Sequence, residues 1–253
     1  MKLYDIVFSP TGGTQKVSEY LTKGLGEKAI TIDLTDSKKD FHSIQLTQDD
    51  IAVISVPSYG GRVPAVAIER LSSMKVHGTR AVLVCVYGNR AYEDTLVELE
   101  DAAKQTKFQV IAVVAAIAEH SIARQFAANR PDTKDAQQLF AFAQQIQKKL
   151  SAGNSEEPAI PGNRPYKKAG GAGVVPKPTK ECITCGVCAK ECPVQAIDLE
   201  NPKKVNEKLC ISCMRCISVC PRSARKVNPV ILSTVGMALK KACSDRKENE
   251  LFL

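Results

Sequence analysis

The 253-residue chain contains no tryptophan, three histidines and four methionines, and aromatic residues make up only 5% of it. With so few rings, a nucleic-acid groove of basic residues interleaved with aromatics has no material, and any aromatic wall must be built from tyrosine. Long apolar runs are missing too. Val110 to Ala118 is the longest uncharged one, too short to cross a bilayer, and Met1-Lys2-Leu3-Tyr4-Asp5 has no signal-type apolar core. These absences predict a cytoplasmic protein with no membrane span and no nucleic-acid partner. Cysteine is scarce except in one place: eight of the ten lie between Cys182 and Cys220, while Cys85 and Cys243 stand outside any ligand spacing. Such clustering is a ligand field, not a distributed disulfide framework, and it predicts a reducing, anaerobic setting.

The cysteine-rich stretch is a repeat. Cys182-Ile183-Thr184-Cys185-Gly186-Val187-Cys188-Ala189-Lys190-Glu191-Cys192-Pro193 returns as Cys210-Ile211-Ser212-Cys213-Met214-Arg215-Cys216-Ile217-Ser218-Val219-Cys220-Pro221, each reading C-x2-C-x2-C-x3-C-P. Three cysteines at that spacing wrap one cubane, and the fourth reaches across to the other. The spacing assigns Cys182, Cys185, Cys188 and Cys220 to one [4Fe–4S] cluster, and Cys210, Cys213, Cys216 and Cys192 to a second. The alternative for eight cysteines is zinc or disulfides. Tetrahedral zinc sites, however, use two C-x2-C pairs with a longer gap and have no use for the C-P position.

The formal charge of +8 shrinks once the clusters are counted, since two oxidised cubanes with their thiolates contribute roughly −4. The remaining excess suits docking to soluble redox proteins with acidic surfaces. Lys190, Arg215, Arg222 and Arg225 lie in or just after the cysteine loops. Positive charge there is expected to favour reduced clusters; the plainer reading is that these side chains point into solvent.

Before the repeat, short apolar runs alternate with helical periodicity. Strands are expected at Leu3 to Phe8, Ala29 to Leu34, Ile51 to Val56, Ala81 to Val86 and Val110 to Ile117. Helices are expected at Thr14 to Leu25, around Val66 to Met74, at Tyr92 to Lys104 and at Ala136 to Leu150. Continuous β-branched strands between amphipathic helices predict an α/β fold over 1–150, a parallel sheet covered on both faces. Five units match the doubly wound, flavodoxin-like order 2-1-3-4-5. From 151 to 177 the chain turns to Gly, Pro, Asn and Lys, either a linker or a strap lying over the first domain. Residues 178–228 hold the repeat in a unit too small for a conventional core, and 229–253 are expected to form a helical tail.

In an open α/β sheet, ligands bind beyond the carboxyl ends of the strands at the switch point. Three loops should meet there. Ser9-Pro10-Thr11-Gly12-Gly13-Thr14 lacks both the Walker lysine and the G-x-G-x-x-G spacing; its hydroxyls, glycines and helix N-terminus suit a phosphate monoester held by neutral donors. The plain alternative is a turn with Thr14 as N-cap. Pro57-Ser58-Tyr59-Gly60-Gly61 and Tyr87-Gly88-Asn89, with Tyr92, place rings and close-approach glycines where a ring system would lie between them. These tyrosines would otherwise pack under helices. Glu119-His120-Ser121-Ile122 to Asp132 leaves the same edge; it either covers this site, seats the cysteine-rich unit, or is a surface loop.

Residues 1–150 resemble a flavodoxin, whose Thr-x-Thr-Gly-x-Thr loop stands here as Ser9-Pro10-Thr11-Gly12-Gly13-Thr14, and 178–228 resemble a bacterial two-cluster ferredoxin. The pair resembles the flavodoxin–ferredoxin fusions of anaerobes. That resemblance implies FMN, with its phosphate in the first loop and its isoalloxazine flanked by the other two. The expected function is electron transfer between FMN, two [4Fe–4S] clusters and soluble redox partners, with a homo-oligomer possible. The alternative is an oxidoreductase whose flavin reacts directly with NAD(P)H, a quinone or a disulfide; no second nucleotide fingerprint and no C-x-x-C outside the repeats is present. A third reading makes the cofactor folds relics in a scaffold or sensor.

Overall fold

In the computed structural model, residues 1–26, 28–170 and 173–253 are described; Gly171 and Ala172 of the expected glycine-rich stretch, and Glu27, lie outside the described residues. The elements in chain order are β1 (Leu3–Val7), α1 (Gly13–Gly24), β2 (Ile30–Asp33), β3 (Gln45–Leu46), β4 (Ile51–Pro57), α2 (Ala65–Ser72), β5 (Lys75–Val76), β6 (Arg80–Tyr87), α3 (Thr95–Gln105), β7 (Gln109–Ile117) and α4 (Thr133–Ser151). After a long irregular stretch come β8 (Lys177–Pro178), α5 (Val187–Lys190), α6 (Arg215–Ser218), β9 (Arg225–Lys226), α7 (Pro229–Lys240) and β10 (Glu250–Phe252).

The main sheet runs β10-β7-β6-β4-β1-β2. Its five long strands pair in parallel, which is the doubly wound 2-1-3-4-5 order that the alternation of strand and helix requires. Both faces are covered. One core gathers Ile6, Phe8, Ile54, Leu83, Leu96 and Leu99; the other gathers Val17, Leu21, Val53, Val84, Leu139 and Ile146. The spacing of Val17 and Leu21 on α1, and of Leu139, Ala143 and Ile146 on α4, turns one stripe of each helix to the sheet. Asp132 starts α4 through a reciprocal capping box with Asp135.

The tail departs from the expected helix. It is helical from Pro229 to Lys240, then returns to the sheet as β10, antiparallel to β7, with Leu251 opposite Val114. The apolar Leu251-Phe252 pair supplies a short edge strand, a pattern too brief to be read from three residues. Asn249 locks it in place: its Oδ1 accepts the Ile117 N–H at 2.9 Å, and its Nδ2 donates to Gln138 Oε1 at 2.8 Å.

Residues 163–170 form a strap over the first domain. The Asp94 carboxylate accepts the backbone N–H groups of Asn163 and Lys167 at 2.9 and 2.7 Å, and Arg164 pairs with Glu100 and Asp101. The cysteine-rich unit is a small α+β piece, with β8 and β9 antiparallel and two one-turn helices. No helix among the described residues is long and apolar enough to cross a membrane.

Candidate redox site

The carboxyl ends of β1, β4, β6 and β7 open into one cavity of about 400 Å³. This is the size range of small-molecule sites. Thr11, Gly13 and Thr14 of the first loop, Pro57, Ser58, Tyr59 and Gly60 of the second, and Tyr87 and Gly88 of the third all line it. Gly12 caps α1 at φ 92°, a conformation that L side chains rarely adopt, so the helix N-terminus and its free first-turn N–H groups face this loop. Ser9 works from behind, its Oγ accepting the Gln15 N–H at 2.8 Å. Glycine is required at Gly88 for a different reason. A Cβ there would stand 2.6 Å from the His120 ring.

Three of the expected site residues are used elsewhere. Asn89 turns its amide away from the cavity, donating to the carbonyls of Cys243 at 3.1 Å and Asp245 at 2.8 Å; it holds the tail. Tyr92 stands edge-on to Tyr87 at 5.3 Å and donates its hydroxyl to Glu250 at 3.2 Å. Gly61 packs against Glu93. Each is drawn off by a partner more than 25 positions away, a contact that a local motif does not reveal.

The loop after β7 has two neighbours. Glu119, His120, Ser121 and Ile122 line the cavity, while Arg124, Asn129, Arg130 and Pro131 share an adjoining cleft with Met214, Ile217 and Ser218 of the cysteine-rich unit. His120 is oriented by its own turn: Nδ1 accepts the N–H groups of Ile122 and Ala123 at 3.2 and 3.1 Å. Burial, reinforced by Arg90, pushes its pKa below the ordinary histidine value, so near neutral pH the ring is uncharged.

Sequence reasoning missed the remaining walls of the cavity. Ile211 and Ser212 come from the second cysteine loop, Gly170 from the strap, and Val235, Ala238 and Leu239 from α7. The i, i+3, i+4 spacing of these three on α7 was the available signal. Nothing local marked Ile211 and Ser212.

The eight clustered cysteines fall into two sets. One hollow is lined by Cys182, Cys185, Cys188 and Cys220, the other by Cys192, Cys210, Cys213 and Cys216. Among the described residues no three His, Cys, Asp or Glu side chains gather as a single ion would need; each quartet borders a hollow instead. Gly186 and Met214 start α5 and α6 in the left-handed region, at φ 76° and 62°, so the chain curls tightly around each hollow. Burial pushes the Cys213 and Cys216 thiols up to about 12. Burial also acts to raise Cys220, but the N–H groups of Ala224, Arg222 and Arg225 and the Arg225 charge outweigh it and pull the thiol down. A soft, four-thiol set around a hollow fits a thiolate-held cubane.

Of the four basic residues near these loops, Arg215 is paired, its Nη2 standing 2.6 Å from Glu191. Lys190 and Arg222 are exposed, and Arg225 is 2% exposed. The plainer reading of solvated cations therefore holds for two of them and fails for Arg225.

Fold and site together define a fusion of a flavodoxin-like α/β unit with an iron–sulfur unit. Residues 181–224 match the family model of the 4Fe-4S dicluster domain. The chain is 32% identical over 71 residues to ferredoxin Fdx2 of Sorangium cellulosum, covering 25% of this chain and 70% of that protein. It is 50% identical over 34 residues to a ferredoxin of Butyribacterium methylotrophicum, covering 13% of this chain and 62% of that one. Through this segment the chain belongs to the ferredoxins that carry two [4Fe–4S] clusters. Among solved structures, the flavodoxin of Streptococcus pneumoniae aligns with a TM-score of 0.41 at 20% identity, over 58% of this chain and 99% of that one. A flavodoxin from the Archaea aligns with a TM-score of 0.44 at 13% identity, over 60% and 99%. Those alignments add nothing to the strand order given above.

Proposed function

We propose that the protein is an electron relay in which FMN lies in the sheet-edge cavity and exchanges electrons with two [4Fe–4S] clusters, the nearer held by Cys192, Cys210, Cys213 and Cys216. The observation that carries it is the shared wall. Ile211 and Ser212, the two residues between Cys210 and Cys213, line the same cavity as the Thr11–Thr14 loop, Tyr59 and Tyr87. Cys182, Cys185, Cys188 and Cys220 hold the outer cluster in this reading, and the exposed Cys185 and Ile183 put it at the surface.

FMN supplies exchange of electrons singly or in pairs, and each cluster moves one. The chain's part is to hold and to exclude. The Thr11 and Thr14 hydroxyls and the first-turn N–H groups of α1 that Ser9 leaves free would hold the phosphate monoester. Ser9 stiffens that loop from behind, Tyr59 and Tyr87 line the cavity where they would border the ring, and neutral His120 leaves Nε2–H as a donor at the rim. Val235, Ala238 and Leu239 of α7 and Gly170 of the strap close part of the cavity wall. The sequence carries no second nucleotide fingerprint, which favours the relay over a flavin that reacts directly with NAD(P)H. The outer cluster then serves soluble redox proteins with acidic surfaces in a reducing cytoplasm, where Lys180 and Lys190 flank the exposed loop.

Reconstitution with FMN, iron and sulfide, followed by stopped-flow reduction, tests this. Reduction of the clusters by a low-potential donor should be followed by bleaching of the flavin within one turnover. Bound flavin that stays oxidised while the clusters are reduced overturns the relay; rapid bleaching by NAD(P)H alone restores the oxidoreductase reading.

A further inference from the structure

Among the described residues, Arg225 is the one basic side chain that lines both cysteine hollows. It sits on β9, opposite Pro178 of β8, and is 2% exposed. Its Nε donates to Cys188 Sγ at 3.3 Å and its Nη1 to Pro176 O at 3.1 Å, while Nη2 donates to Pro202 O. Two carbonyls and a sulfur take three of its five N–H donors, and none of these partners is a carboxylate. A guanidinium stays charged at any accessible pH, and a buried charge without a counter-ion is costly. A [4Fe–4S]2+ core with four thiolates carries about −2, so two such groups on either side would provide the missing neutralisation.

We propose that Arg225 is a shared internal counter-charge of the two cluster sites, one cation that sets both reduction potentials together. This rests on the cluster ligation proposed above. Reduction adds one electron, and so one negative charge, to either cluster; a fixed cation beside both stabilises each reduced form and raises each potential. Because the same guanidinium faces both hollows, the two potentials rise together, which keeps neighbouring stations close enough for electrons to pass in either direction. A surface cation such as Arg222 is screened by water and lacks this reach.

The test is an EPR-monitored redox titration of the full-length protein, after iron and sulfide analysis has shown that the wild type holds two clusters; failure of that analysis overturns the ligation and not the role of Arg225. Arg225→Gln, which removes the charge and keeps a donor, should lower both potentials, while Arg222→Gln leaves both in place. A shift of only one cluster, or of neither, in loaded Arg225→Gln overturns the proposal. Should that variant fail to hold clusters, Arg225→Lys decides. It keeps the charge but loses the fork that clamps Pro176 and Pro202, so both potentials should stay near the wild-type values. A fall of either potential in Arg225→Lys would mean that Arg225 acts as a clamp and not as a charge.

Discussion

Arg70 joins the two halves of the molecule: its Nη1 donates to Leu34 O and its Nη2 to Pro193 O, each at 2.6 Å. Leu34 follows β2 of the flavodoxin-like unit, and Pro193 follows Cys192 of the iron–sulfur unit. One planar fork on α2 thus bridges both. Arg70→Ala leaves two carbonyls without these donors, a cost of about 1–3 kcal/mol. The expected outcome is earlier tryptic cleavage after Lys167 and Lys168 and slower flavin–cluster transfer, with FMN affinity unchanged. Limited proteolysis and stopped-flow absorbance check it.

In the ligation proposed above the fourth cysteine of each repeat crosses to the other cluster, so single substitutions should have crossed effects. Cys192→Ser is expected to remove the cluster of Cys210, Cys213 and Cys216, far along the chain, and to abolish flavin reduction through the clusters. Cys220→Ser should remove the outer cluster and leave the inner one in contact with the flavin cavity. EPR of the reduced variants distinguishes the two. Loss of the neighbouring-sequence cluster in each case contradicts the crossing.

Gly88→Ala puts a methyl group 2.6 Å from the His120 ring. The ring cannot turn away without breaking the two bonds that its Nδ1 accepts from the Ile122 and Ala123 N–H groups, so either those bonds or the position of the loop must give. FMN binding should weaken about tenfold, some 1.4 kcal/mol, while the melting temperature of the apo protein changes little. Fluorescence titration of the apo protein with FMN measures this directly.

Asn89 and the tail form a second closure. Asn89→Ala removes both side-chain bonds to the Cys243 and Asp245 carbonyls. The expected result is release of α7 and β10 without unfolding of the sheet, seen as rapid amide exchange confined to 229–252 and a faster FMN off-rate.

Acid should open the same tail. The Arg246 side chain at Asp132 holds that carboxyl well below its usual range. Burial would raise Asp135, but Arg130, the Asp132 N–H and Asn249 outweigh it and hold it low too. Groups with lowered folded pKa values stabilise fully above the ordinary carboxylate value, near 3.9, and that contribution is lost as pH falls through the folded values. Exchange at 246–252 should therefore rise below about pH 4, before the sheet melts. Asp132→Asn should bring the same opening at neutral pH, and an unaltered pH profile in that variant rejects the mechanism.

The parallel sheet was legible because its strands are continuous apolar runs and its helices carry one apolar stripe; both are local periodicities. The phosphate-type loop was legible for the same reason, being six consecutive residues. Asn89, Gly61 and Tyr92 were assigned to the cavity because they follow strands directly, yet partners from 93 to 250 claim them. The strap was legible only as one of two readings of 151–177, and β10 falls in the stretch expected as a helical tail, since their contacts with Asp94, Val114 and Ile117 join positions far apart in sequence.

The two cysteine loops make the division sharpest. Cys-Ile-Thr-Cys at 182–185 and Cys-Ile-Ser-Cys at 210–213 are nearly the same words, and their spacing alone calls for two cubanes with exchanged fourth ligands. That much needs no fold, because ligand reach is fixed by a few covalent steps of backbone. Which loop meets the sheet-edge cavity is another matter. Ile183 is 59% exposed, whereas Ile211 and Ser212 line the cavity wall. Only the packing of one unit on the other, through Arg70, the strap and α7, gives two equivalent loops unequal neighbours.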